Sequence, residues 1–169
     1  MAAKEVSPVE ATEAYLERIE SLDSKLRAFV TVTADVALKA AKIAEQEIAQ
    51  GIHRGPMHGV PVAVKDQIYT QGILTTGGSL VFGDFIPTVD ATVIENLKAA
   101  GAVLLGKLNM TEFATSGLSH QFDPPRNPWD LERSTGGSSS GSGAATAAFL
   151  FAASLGEDTG GSVRFPASW

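Results

Sequence analysis

The stretch DATVIENLKAAGAVLLGK (residues 90–107) runs from a helical pattern through a glycine into a short apolar run closed by a lysine. Glycine stops a helix readily because it takes up left-handed backbone angles without a Cβ clash. An apolar run without polar alternation offers no face to water, so it reads as a strand covered on both sides. Helix, glycine, apolar strand is the rhythm of an α/β fold with parallel pairing. GVPVAVKD (residues 59–66) fits the same frame: it is apolar until Lys65 and Asp66, and reads as a buried strand with a lysine at its end.

The flanking segments are consistent with that frame. SPVE opens a first helix, with Ser7 as cap, Pro8 at the first helical position and Glu10 closing a capping box. Tyr15, Leu16, Ile19, Leu22 and Leu26 then recur near helical spacing. Residues 28–33 read as a short strand, and a second helix is expected from about Ala34 to Gln50, stopped by Gly51. Residues 119–135 hold three prolines and must be an extended loop. A serine-rich turn, an alanine-rich helix around residues 144–153 and SLGEDTGGS follow.

Composition narrows the function. Of 169 residues, 44% are hydrophobic and 19% charged, which suits a globular domain with a core. The net charge of −6 and the lack of a basic patch argue against direct nucleic-acid binding. There is no cysteine, which excludes thiol catalysis, disulfides and thiolate metal sites. His53 and His58 lie in a Gly/Pro loop away from helical spacing, and with His120 they make no metal motif, so no metal or cofactor is expected. The longest apolar stretch, AATAAFLFAA, is half the length of a membrane span. The N-terminus has no signal-peptide core, so no membrane association and a cytoplasmic location are expected.

The Gly/Ser-rich segments carry the chemistry. GGSSSGSG (residues 136–143) leads directly into an apolar segment, and DTGGSVRFP (158–166) has arginine and proline close behind, so neither is shaped like a linker between domains. A phosphate-binding loop would need a lysine beside its glycines, and none follows Lys107. GSSSG (137–141) matches a nucleophile elbow with Ser139 as nucleophile, but a Pro-rich loop stands where that elbow needs a strand, and no histidine follows His120. A serine needs a base to become a nucleophile. With no suitable histidine and no S-x-x-K spacing, lysine remains, and Lys65 ends an apolar strand whose neighbours would desolvate it. A strand-end lysine that simply reaches water satisfies the same residues.

Together, GVPVAVKD, GGSSSGSG and GEDTGGSVRFPAS resemble the amidase signature family. GKLNMTEFA (106–114) and RNPWDLERSTGGSS (126–139) are similar to its amidotransferase A subunits and their close amidase relatives. The resemblance covers nearly the whole chain. It implies the first part of an α/β/α sandwich around a mixed sheet, so residues 1–169 are expected to be a single incomplete domain. It also implies a Ser–Ser–Lys triad of Lys65, Ser138 and Ser162, with Ser162 as the acyl-forming nucleophile and Ser138 held by a cis peptide bond. The amides around Thr159, Gly160 and Gly161 would form the oxyanion hole and bind substrate. The implied activity is metal-free cleavage of a small-molecule carboxamide to acid and ammonia through a seryl ester. An A subunit handing glutamine-derived ammonia to partner subunits, or a truncated inert remnant or binding module, would keep the same motifs. Gly77–Ser79, a third GGS, matches a turn outside the triad. Ser140 stands where the family usually has glycine, Thr135 where proline is common, and Glu157 where it has a small hydroxyl residue. The last would stabilise the charged form of Lys65 and oppose a neutral base. Alone, residues 1–169 are expected to be inert.

Overall fold

The structure, a computed structural model, describes residue 1 and residues 5–115 and 119–169. The elements follow in chain order as α1 (Pro8–Leu26), β1 (Phe29–Val32), α2 (Ala34–Ala49), β2 (Pro61–Lys65), α3 (Thr92–Ala99), β3 (Val103–Leu108), α4 (Ser140–Ala147), β4 (Ala153–Leu155) and α5 (Arg164–Ser168). Short 3₁₀ turns lie at Leu80–Phe82 and Glu112–Ala114. The helix ends form for the reasons legible in the chain. Glu10 N–H donates to Ser7 Oγ (3.1 Å) and Ser7 N–H to Glu10 Oε2 (2.8 Å), a complete capping box. Gly51 and Gly101 take left-handed φ angles of +81° and +74° just past α2 and α3.

The four strands order as β1-β3-β2-β4. β2 runs parallel to both neighbours, while β1 is antiparallel to β3, so the sheet is mixed. Every residue of β2 is buried, as its unalternating sequence requires. Ala63, Val103, Leu105 and Leu108 join one apolar cluster with Ile19 and Leu26 of α1, Ala37 and Ala41 of α2, and Ala144 and Ala145 of α4. Alanines at these helix positions let backbones approach the sheet closely. Val62 and Val64, which alternation turns to the other face of β2, are equally buried. Among the described residues, no helix is long and apolar enough to cross a membrane.

The structure departs from the sequence reading after α4. The alanine-rich helix begins earlier, at Ser140, and ends at Ala147, short of the apolar residues FLF. Phe149 takes φ +56° and stays exposed, turning the chain so that 153–155 add to the open edge of β2. The unpaired edge of a central strand thus overrides the helical pattern of an alanine-rich segment. Arg164–Ser168 forms a further helix that the periodicity did not show.

This topology brings the chemistry-bearing segments to one end of the sheet. Lys65 closes β2 beside the end of β3, where Gly141 N–H donates to Asn109 O (2.8 Å) and Thr111 N–H to Ser138 O (3.2 Å). The serine-rich segment is pressed against this strand end. A Cβ on Gly141 would lie 2.3 Å from Ala28 O and 2.6 Å from Asn109 O. Backbone cannot yield there as a flexible side chain would, so Gly141→Ala is expected to cost more than about 2 kcal/mol, toward the upper part of the usual overpacking range. Urea unfolding checks this; an unchanged midpoint would show that the segment is not held as described.

Candidate active site

Lys65 is fully buried, and its ammonium reaches Ser138 Oγ at 2.6 Å and Glu157 Oε2 at 3.0 Å. The chain positions it by extending β2 to its last residue and then turning away at Asp66. Burial pushes the lysine below its ordinary value, while Glu157, and more weakly Asp158, push it back up. Ser138 itself is buried, and the Gly137–Ser138 peptide bond is cis.

Ser162 lies half-buried in the loop before α5, where Ser139 N–H donates to its carbonyl at 3.0 Å. Asp158 organises that loop. Its carboxylate accepts from the amides of Gly161 (2.7 Å), Val163 (3.1 Å) and Arg164 (3.1 Å), and from the Arg164 guanidinium at 2.9 and 3.0 Å. The arginine and the three amides hold this carboxyl far below the usual range. Gly161, one of the expected oxyanion donors, therefore has its amide bonded to Asp158 in this conformation. Among the described residues, the amides of Thr159, Gly160 and Ser162 have no protein acceptor. Ser138, Ser162, Thr159, Gly160, Gln67, Glu157, Phe113 and Phe165 border one open cavity of about 750 Å³.

Ser139, the nucleophile of the elbow alternative, is 1% exposed and stands just before α4 without a side-chain bond to the helix end, its Oγ donating to Glu157 O at 3.2 Å. No strand leads directly into it; residues 134–139 are irregular. It is packed away from the cavity that Ser138 and Ser162 share. His58 is also accounted for structurally: it is buried, with Nε2 2.9 Å from Glu47 Oε2 and Nδ1 accepting from Arg54 N–H.

Sequence reasoning missed a second buried lysine. Lys107, on β3, is fully buried and donates to Ile68 O (2.7 Å), Thr75 Oγ1 (2.7 Å) and Asp66 O (3.3 Å). Asp66 Oδ1 is 3.8 Å away, close enough for charge attraction but too far for a hydrogen bond. The other carboxylate oxygen accepts from the amide (2.9 Å) and hydroxyl of Thr76. The Gly77–Ser79 turn wraps this aspartate, and Gly78, at φ +73°, passes where a Cβ would come 2.7 Å from Met110 O. Ser79 Oγ donates to Glu112 Oε1 at 2.7 Å, tying the turn to the segment after β3. The available signal was Lys107 itself, a cation inside a run that otherwise reads as a buried strand.

A family model for amidases matches residues 10–169. The chain belongs to the amidase family. The A subunit of the glutamyl-tRNA(Gln) amidotransferase of Geobacter sulfurreducens is 55% identical over 170 residues, 99% of this chain and 35% of that protein. The corresponding subunit of Carboxydothermus hydrogenoformans is 51% identical over 169 residues. The peptide amidase of Stenotrophomonas maltophilia superposes with a TM-score of 0.91 at 40% identity, over 99% of this chain and 36% of that one. The chain thus spans about a third (35%) of the length of the curated relatives it matches. Its mixed sheet and helices are the N-terminal part of the amidase fold, which bears out the expected fold class and family.

The Lys107–Asp66 pair generates a stability prediction. Burial brings Lys107 down to about 8 from its ordinary 10.5. The unfolded chain holds that proton more tightly, so the folded state gains stability as pH rises from about 8 to 10.5. Lys107→Met is expected to flatten that rise and to cost about 3–5 kcal/mol at pH 7 by leaving Asp66 buried without its cation. Adding Asp66→Asn should recover part of the loss. Denaturant melts across pH check this; a Lys107→Met protein as stable as the parent would contradict a buried, charge-paired lysine.

Proposed function

We propose that Lys65, Ser138 and Ser162 are the catalytic set of an enzyme that cleaves the C–N bond of a small-molecule carboxamide through a seryl acyl-enzyme, without cofactor or metal. The observation that carries this reading is the 2.6 Å contact between the fully buried Lys65 ammonium nitrogen and Ser138 Oγ at a cavity that Ser162 also borders.

In this mechanism Ser162 Oγ bonds to the amide carbon, its proton passes to Ser138, and the Ser138 proton passes to neutral Lys65. Burial favours that neutral form. The amides of Thr159, Gly160 and Ser162 receive the developing oxyanion, and the Gly161 amide joins them only if its bond to Asp158 opens. Collapse of the tetrahedral intermediate breaks the C–N bond as the proton returns through Ser138 to the leaving ammonia. Water then repeats the attack and releases the carboxylate. Ser138 acts as a relay because it is the hydroxyl in direct contact with the lysine.

Two kinds of relative bear on the activity. The S. maltophilia relative is named as a peptide amidase, and hydrolysis to acid and ammonia is our first reading. The A-subunit reading is favoured by the 55% identity to the G. sulfurreducens subunit, and it would add partner subunits that receive ammonia. In either case we read residues 1–169 as one incomplete amidase domain, supported by their 35% share of the relatives' length, and place the enzyme in the cytoplasm.

A fluorophosphonate probe on the full-length protein, with the adduct mapped by mass spectrometry, tests the nucleophile. The adduct is expected on Ser162 and absent in Ser162→Ala; an adduct on Ser139 would overturn the assignment. For the base, Lys65→Arg keeps the charge but cannot lose its proton usefully. A loss of at least about 100-fold in turnover of a reactive amide is expected. Parental activity in folded Lys65→Arg would contradict it.

A further inference from the structure

Glu157 bridges the base and the nucleophile loop. Its Oε2 accepts from Lys65 Nζ (3.0 Å) and from Gln67 Nε2 (3.2 Å), and its Oε1 accepts from Thr159 Oγ1 (2.8 Å). Both carboxylate oxygens are thus fixed, one by residues at the end of β2 and one by the loop that carries Ser162. Lys65 offers its nitrogen to two partners with opposite demands. Ser138 can hand it a proton only when the lysine is neutral, whereas Glu157 is bonded best by the ammonium form. The carboxylate is one-third (32%) exposed on the cavity side, so solvent moderates but does not remove its effect.

Among the described residues, the charged groups that act on Lys65 are Glu157 and, more weakly, Asp158. Asp158 is committed to Arg164 and three loop amides. Lys107, one strand over, pairs in register with Val64, and its ammonium turns to Asp66, Ile68 and Thr75. Glu157 is therefore the group whose removal changes the charge balance at Lys65.

We infer that Glu157 is a positioning residue for this base: it holds the Lys65 proton and moves the rising limb of activity to higher pH than a neutral residue at the same place would give. A glutamate in this position thereby fits the site to alkaline conditions, while its bond to Thr159 keeps the nucleophile loop in register with the lysine. This rests on the proposed role of Lys65 as the base.

The test uses the full-length protein and the rate of fluorophosphonate labelling of Ser162 as a function of pH, which needs no knowledge of the natural amide. Glu157→Gln keeps the shape and removes the charge. Its rising limb is expected about one pH unit or more below that of the parent, the lower end of what an opposite charge at this distance supplies. Glu157→Asp restores the charge and is expected to bring the limb back toward the parent. If Glu157→Gln does not fold, Glu157→Ser is measured in its place with the same expected shift. Superimposable limbs, or a uniform slowing at every pH with the limb unmoved, would overturn the inference while leaving the Ser–Ser–Lys reading intact. Absence of a Ser162 adduct, or parental labelling rates in Lys65→Arg, would overturn both.

Discussion

A lysine at the end of a fully buried strand, with its nitrogen against a serine hydroxyl, is the contact on which the rest of the structure depends. Removing an ammonium from water is costly, and a buried lysine lowers that cost by losing its proton or by finding partners. Lys65 has both routes open. The surrounding strands favour the neutral form, while Ser138 and Glu157 give the nitrogen two acceptors. Seen this way, the mixed sheet is what keeps water from the lysine, and the serine-rich segment is what meets it there. Gly141 lets that segment lie against β3 closely enough for Ser138 to reach across.

A second buried lysine sits on the neighbouring strand and behaves differently. Lys107 is saturated by two carbonyls, a hydroxyl and a nearby carboxylate, and it borders no part of the cavity. The two lysines are buried alike; what separates them is the number of fixed acceptors, and that the serine bonded to Lys65 borders a cavity that Ser162 borders as well. Asp66 connects the two, because it follows Lys65 in the chain and faces Lys107 in space.

Much of this was legible in the residues. The capping box at Ser7 and Glu10, the glycine stops at Gly51 and Gly101 and the unalternating runs of β2 and β3 depend on local chemistry, and the structure has them where the chain suggests. β4 was not legible, because three residues are too few to show a pattern of their own and are a strand by virtue of pairing with β2. Lys107 and Asp158 escaped for a similar reason: their roles come from partners that fold places around them, and nothing in their immediate sequence announces a carbonyl cage or a set of converging amides. Glu157 was visible as an unusual charge in a Gly/Ser-rich loop, and its contact with Lys65 is the one its charge suggested. Composition alone could not separate a catalytic strand-end lysine from a solvated one; the family motifs made that choice, and the 2.6 Å contact with Ser138 supports it.

The proposed chemistry depends on Lys65 acting as a base toward the serines. Replacing it with alanine leaves a small buried space at the end of β2, which a primary amine from solution can enter. The decisive measurement is the rate of Ser162 phosphonylation in full-length Lys65→Ala, with and without added methylamine or ethylamine. Very slow labelling is expected without amine, and recovery that grows with amine concentration and with the fraction of amine in its neutral form. Labelling of Lys65→Ala at the parental rate without any amine would show that the serines need no lysine, and would contradict the account.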